Sequence, residues 1–166
     1  MKSKRTVLLF AIAVLIAAGM YPVAAQKPTV HPLEGTWKLN AAQSKFAPNH
    51  ATAAKEETMV FRVVGDQFEL TDTGTQKDGV AIAGKYTSPV NGGVFKVLQT
   101  APAEGESYVE TMLEPGNRFL TQLKNGKQTQ VQHLIISRDG KTMSITTRGT
   151  DAKGKPFESV SVFDKQ

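Results

Sequence analysis

Apolar and polar residues alternate along most of this chain with a period of two. The runs are short and are bounded by Gly, Asn, Asp and Pro. Gln67 to Thr73 places Phe68 and Leu70 on one face and Glu69 and Thr71 on the other, the pattern of a half-buried strand. The same reading predicts strands at Gly35–Asn40, Glu57–Val64, Val80–Thr87, Val94–Thr100, Ser107–Glu114, Arg118–Lys124, Gln128–Ser137, Thr142–Arg148 and Phe157–Asp164. Asp78-Gly79, Asn91-Gly92-Gly93, Pro115-Gly116-Asn117, Asn125-Gly126 and Asp139-Gly140 supply turns between them. Asn125-Gly126 is the strongest hairpin signal, because both residues tolerate the positive φ of a type I′ turn. Ala41 to Ala54 reads as a long loop or a helical turn, with Phe46 as its plug for one end of the core.

One segment echoes another at an offset of 75 positions. Gly65-Asp66-Gln67-Phe68-Glu69-Leu70-Thr71 corresponds to Gly140-Lys141-Thr142-Met143-Ser144-Ile145-Thr146. Met59 corresponds to Leu134, and Phe61 to Ile136. Each copy reads strand, tight turn, strand.

About ten strands with turn signals roughly every 8–12 residues predict an all-β barrel or sandwich. Sequence neighbours tend to pair in space, so the simplest topology is an antiparallel up-and-down sheet. Closing that sheet removes two exposed edges. The expected fold is therefore an up-and-down barrel of eight to ten strands, with a β-sandwich as the alternative. A barrel of this size is filled by side chains or holds one small ligand.

The ends change the picture of where the chain works. Lys2, Lys4 and Arg5 precede an apolar stretch from Val7 to Ala18, and Val23-Ala24-Ala25 supplies small residues before Gln26. That is the pattern of a secretory signal peptide over residues 1–25, cleaved before Gln26. Residues 26–34 then form an extended lead-in, and 35–166 a single barrel domain. Loss of the leader lowers the formal charge from +5 to +2. An exported protein, periplasmic or extracellular, without a stable membrane anchor follows. With no Cys, lipid attachment through cysteine and disulfides are both closed, and packing alone must hold the fold. There is no clustered Lys/Arg stripe and no aromatic–basic alternation, so nucleic acid is not an expected partner.

Gly35-Thr36-Trp37 resembles the Gly-x-Trp signature of the lipocalin and fatty-acid-binding (calycin) barrels. The resemblance implies that Trp37 packs across the closed end of the barrel against an Arg from a late strand, here Arg148. The chain departs from the pattern in lacking a Thr-Asp-Tyr motif and the usual disulfide. A wider resemblance runs through Gly35 to Asn40, Ser44-Lys45-Phe46, Asp139 to Met143, Gly149 to Pro156 and the tail Phe163 to Gln166. On these segments the chain is similar to a group of exported, lipocalin-like bacterial proteins. That similarity implies export and a β fold, and no activity or ligand.

Candidate chemistry is sparse. His31, His50 and His133 lack metal-ligand spacing, so no metal and no cofactor is expected. There is no Gly-x-Ser-x-Gly elbow. Asp72 shares the face of Phe68 and Leu70, and Glu110 that of Tyr108 and Met112; both are expected at strand ends that reach solvent. A two-residue turn at Asn125-Gly126 pairs Phe119 with Gln132 and Thr121 with Gln130. One face then carries Phe119, Thr121, Leu123, Gln128, Gln130 and Gln132. Turned inward, it gives a cavity an apolar rim and an amide wall. Turned outward, with Leu120, Val131 and Ile135 inside, it is ordinary solubility chemistry, because a one-residue slip exchanges the faces. The ligand-contacting candidates are Phe68, Tyr86, Tyr108, Phe119 and Gln130. The expected function is an exported carrier or sensor of a small, partly apolar or amphipathic molecule. An envelope interaction module with a filled core is the alternative, and an enzyme would require an inward carboxylate beside a His or Tyr.

Overall fold

The computed structural model describes residues 30–98 and 105–166, so the expected signal segment lies outside the described residues. Ten strands form: β1 Gly35–Leu39, β2 Ala54–Val64, β3 Gln67–Gln76, β4 Ala81–Pro89, β5 Gly93–Val97, β6 Glu106–Glu114, β7 Asn117–Lys124, β8 Lys127–Ile136, β9 Thr142–Thr150 and β10 Pro156–Lys165. Each pairs antiparallel with its neighbour in sequence, and β1 closes the ring against β10. Trp37 stands opposite Lys165, and Leu39 opposite Phe163. That last pairing makes a barrel of the sheet and sets the sandwich aside.

The period of two fixes which side chains enter the barrel. On β2 and β3, Phe61 opposes Leu70 and Val63 opposes Phe68. The second copy of the repeat pairs Leu134 with Ile145 and Ile136 with Met143. Its turn is longer, so the partners differ from those of the first copy by two residues. A shift of two keeps every side chain on its face, and both copies deliver their apolar residues inward.

One end of the barrel is sealed. The chain before β1 turns there, with the Glu34 N–H donating to the His31 carbonyl at 2.9 Å. Leu33, Trp37, Phe61, Phe68, Met143, Ile145 and Phe163 form the buried core. Trp37 is fully buried, and its indole N–H donates to the Leu33 carbonyl at 2.7 Å. That bond satisfies the one polar atom of a side chain that removes on the order of 150–250 Å² from water.

The hairpin of β7 and β8 departs from its expected register. Asn125 and Gly126 do adopt positive φ (51° and 74°), and Leu123 opposes Gln128. The ladder then shifts, and Gln122 opposes Gln130 and Leu120 opposes Gln132. Thr129 is the extra residue of a β-bulge. Opposite it, a side chain on Gly149 would meet the Thr129 carbonyl at 3.0 Å, so glycine there gives the bulge its room. Beyond the bulge the faces of β7 exchange relative to β8. Gln130 and Gln132 align with Gln122 and Leu120, while Phe119 and Thr121 lie on the other face.

Candidate functional site

Away from the sealed end, the barrel interior is hollow. A cavity of about 240 Å³ is lined by Glu57, Met59, Asp72, Tyr86, Gln130 and Thr147, among others. A wider void of about 490 Å³ adjoins it at the mouth, sharing His50, Thr52, Gln130 and Gln132 and adding Tyr108, Gln122 and Phe157. Below them is a small, mostly apolar space of about 70 Å³ between Phe61, Leu70, Leu120, Leu134 and Ile145, with the side chains of Glu110 and Arg118 also in its lining. The lining therefore runs from apolar at depth to amide and hydroxyl at the mouth.

The loop between β1 and β2 crosses the mouth. Phe46 and His50 project from it into the cavity lining. Lys45 bridges to Val160 on β10, and Ser159 accepts the Ala47 N–H at 3.0 Å. His50 stacks on Phe157 with ring centroids 4.5 Å apart, and its Nδ1 lies 2.9 Å from the Ser159 hydroxyl. Burial, and then the nearby Lys77, hold the His50 pKa below its ordinary value.

Two carboxyls meet inside the barrel. Glu57 opposes Gly74 across the β2–β3 ladder, and Asp72 is two residues along from that glycine on the same face. Such diagonal neighbours are within reach of long side chains. Burial raises the Glu57 pKa to about 8, helped by the charge of Asp72 and a hydrogen bond with it. Burial also raises Asp72, to about 6, against the lowering effect of its bond to Glu57. Near neutral pH the pair therefore holds one proton and one negative charge. Asp72 Oδ1 is enclosed and has no hydrogen-bond partner. The Tyr86 ring lies across Gly84, the residue opposite Asp72, where any β-carbon would collide with it. Burial pushes the Tyr86 phenol up, and the two carboxyls add to the effect. At the mouth, burial and then Glu106 push Tyr108 up to about 12.

The candidate residues sort unevenly. Tyr86 and Gln130 line the inner cavity, and Tyr108 and Gln130 the mouth. Phe68 is inward but belongs to the sealed end, 3% exposed. Phe119 is a correction: the bulge at Thr129 turns it outward, where it stacks on His133 at 4.1 Å. Arg148 is a second correction. Met143, Ile145 and Thr147 are the buried positions of β9, so strict alternation sends Arg148 outside. Its side chain is 66% exposed and pairs with Glu158 at 2.6 Å. The cation over the Trp37 ring is Lys165, at 5.0 Å.

The buried arginine is Arg118, 1% exposed. Its guanidinium lies 4.4 Å from the centre of the Phe68 ring. It donates to Glu110 at 3.0 Å and to the Val90 carbonyl at 2.9 Å. Glu110 also accepts from Ser88 at 2.7 Å. Glu110 and Asp72 thus face inward, contrary to their expected place in solvent: both lie on the buried parity of strands that close into a ring. Parity was also the signal for Glu57, which shares the face of Met59 and Phe61. Among the described residues no three of His, Asp and Glu converge as a metal site would require.

No protein-family model matches the sequence, and neither does any curated protein. Solved structures similar in fold include lobster apocrustacyanin A1, at 15% identity and a TM-score of 0.42 over 85% of this chain and 64% of that one. Apocrustacyanin C1 is similar at 13% identity and a TM-score of 0.43, over 85% and 64%. This chain thus spans less than two thirds of the apocrustacyanin chains. Zebrafish ileal bile acid-binding protein, solved in complex with cholic acid, is similar at 15% identity and a TM-score of 0.49, over 81% of this chain and 99% of that one. The antiparallel barrel itself is established by the strand pairing of this chain, with β1 closing on β10.

Proposed function

We propose that this protein is an exported carrier or sensor that holds a small, partly apolar molecule inside its barrel. The observation that carries the reading is the graded interior. Space continues from an amide-lined mouth, past two carboxyls, toward an apolar floor. Sites for small molecules combine apolar walls with a few placed polar groups in this way. Tyr86, Tyr108, Gln122, Gln130 and Gln132 supply the polar contacts, and Met59, Ile82 and Ile145 the apolar ones. Trp37, Leu33, Phe68 and the Arg118–Glu110 pair keep the opposite end shut.

Native mass spectrometry of protein purified from its own host tests the reading, and a bound small molecule is the expected result. Repeated absence of one, together with no rise in melting temperature across an apolar ligand library, refutes it. A second reading, acid–base chemistry on the bound molecule, has in its favour the inward carboxyls beside Tyr86. It requires that the released molecule differ in bonding from the one bound, read by NMR of the two.

A further inference from the structure

The polar surface of the inner cavity is one-sided in charge. Glu57 enters from β2 and Asp72 from β3, and among the described residues no Lys or Arg lines either this cavity or the mouth. The other groups facing the pair are Tyr86 from β4, Gln130 and Gln132 from β8, Thr147 from β9, Ser161 from β10, and His50 from the loop over the mouth. Lys77 is not in the cavity lining; its ammonium lies 4.5 Å from the centre of the Phe46 ring. The cation of the sealed end, Arg118, is matched by Glu110 at 3.0 Å. Both carboxyl groups belong to the cavity lining, with Asp72 Oδ1 itself turned into the protein. The walls around the pair are apolar on several sides, through Met59, Ile82, Ile145 and Phe163.

Resting on the carrier reading, we propose that the ligand of this cavity is an apolar amine whose ammonium donates to the Glu57–Asp72 carboxyls while its hydrocarbon part packs against Met59, Ile82 and Ile145. A buried charge is tolerated when it is paired and hydrogen-bonded. The ammonium supplies both, with N–H donors for the carboxyl oxygens that line the cavity and a positive charge where that lining has none. A neutral alcohol donates one hydrogen bond to a carboxyl but does not offset the charge. A carboxylate adds a like charge in a space already holding one.

Three probes of equal chain length separate the cases: octylamine, octanol and octanoate, titrated into the purified protein at neutral pH by calorimetry and thermal shift. Octylamine is expected to bind at least about tenfold more tightly than octanol, with octanoate weakest. The double variant Glu57→Gln, Asp72→Asn keeps side-chain shape and hydrogen bonding and removes the charge. It should bring octylamine down to the level of octanol. A variant that lost octanol as well would report general disruption, and Glu57→Asp, which keeps the charge, should then retain the preference for amine. Equal binding of all three probes, or an amine preference that survives the double variant, overturns the charge assignment and leaves the carrier standing. Binding of none of the three overturns the amine assignment, and the carrier reading is then decided by the host-purified protein and the ligand library.

Discussion

The Glu57–Asp72 pair makes stability fall as pH rises through the neutral range, and Glu57→Gln tests this directly. In the unfolded chain Glu57 releases its proton near its ordinary value of 4.5, whereas in the barrel it holds the proton to about pH 8. The folded state therefore binds more protons over that interval, and the unfolding free energy declines with pH. Asp72 acts in the same direction but finishes near pH 6. His31 and His50 act the other way: burial first, then a neighbouring cation, lowers both below 6.5, so their effect ends by about that pH. The phenols of Tyr86 and Tyr108 are raised from 10 and titrate later. The interval from about pH 6.5 to about pH 9 thus isolates Glu57. With each pKa unit worth about 1.36 kcal/mol, the loss over that interval is about 2 kcal/mol. For a chain of this size it is roughly a 4–8 °C fall in melting temperature. Urea unfolding at several pH values, with and without Glu57→Gln, measures it; the variant should show little slope and be the more stable form at pH 9. A wild-type curve that is flat or rising over this interval refutes the burial of the pair.

Two further outcomes concern the sealed end. Arg118→Met leaves Glu110 buried without its cation and should cost about 3–5 kcal/mol, whereas Arg148→Ala breaks only an exposed pair and should cost less than about 1 kcal/mol; equal losses by denaturant titration would mean that the two arginines are wrongly placed. Trp37→Ala removes a fully buried ring and its bond to Leu33, and should cost about 3–5 kcal/mol, read as a lower urea midpoint; a loss under 1 kcal/mol would contradict its position in the core.

What the sequence determined by itself was local. Strand existence follows from the alternation of residues such as Phe68 and Leu70, and the turns follow from Asn125-Gly126 and its counterparts. Parity then orients long stretches: Glu57, Met59 and Phe61 fall on one face, and so do Phe68, Leu70 and Asp72. Tertiary structure decided what depends on partners. A single extra residue, Thr129, exchanged the faces of the β7–β8 hairpin and sent Phe119 outside, and no composition rule marks a bulge in advance. Closure of the ring made inward carboxyls of Asp72 and Glu110, which an open sheet would have left in water. Pairing of β2 with β3 set Glu57 beside Asp72, and alternation on β7 and β9 turned Arg118 inward and Arg148 outward. Backbone preference and side-chain periodicity act over a few residues, so they are written along the chain. Register, closure and the meeting of charges arise from strands packing on one another, and only the folded barrel fixes them.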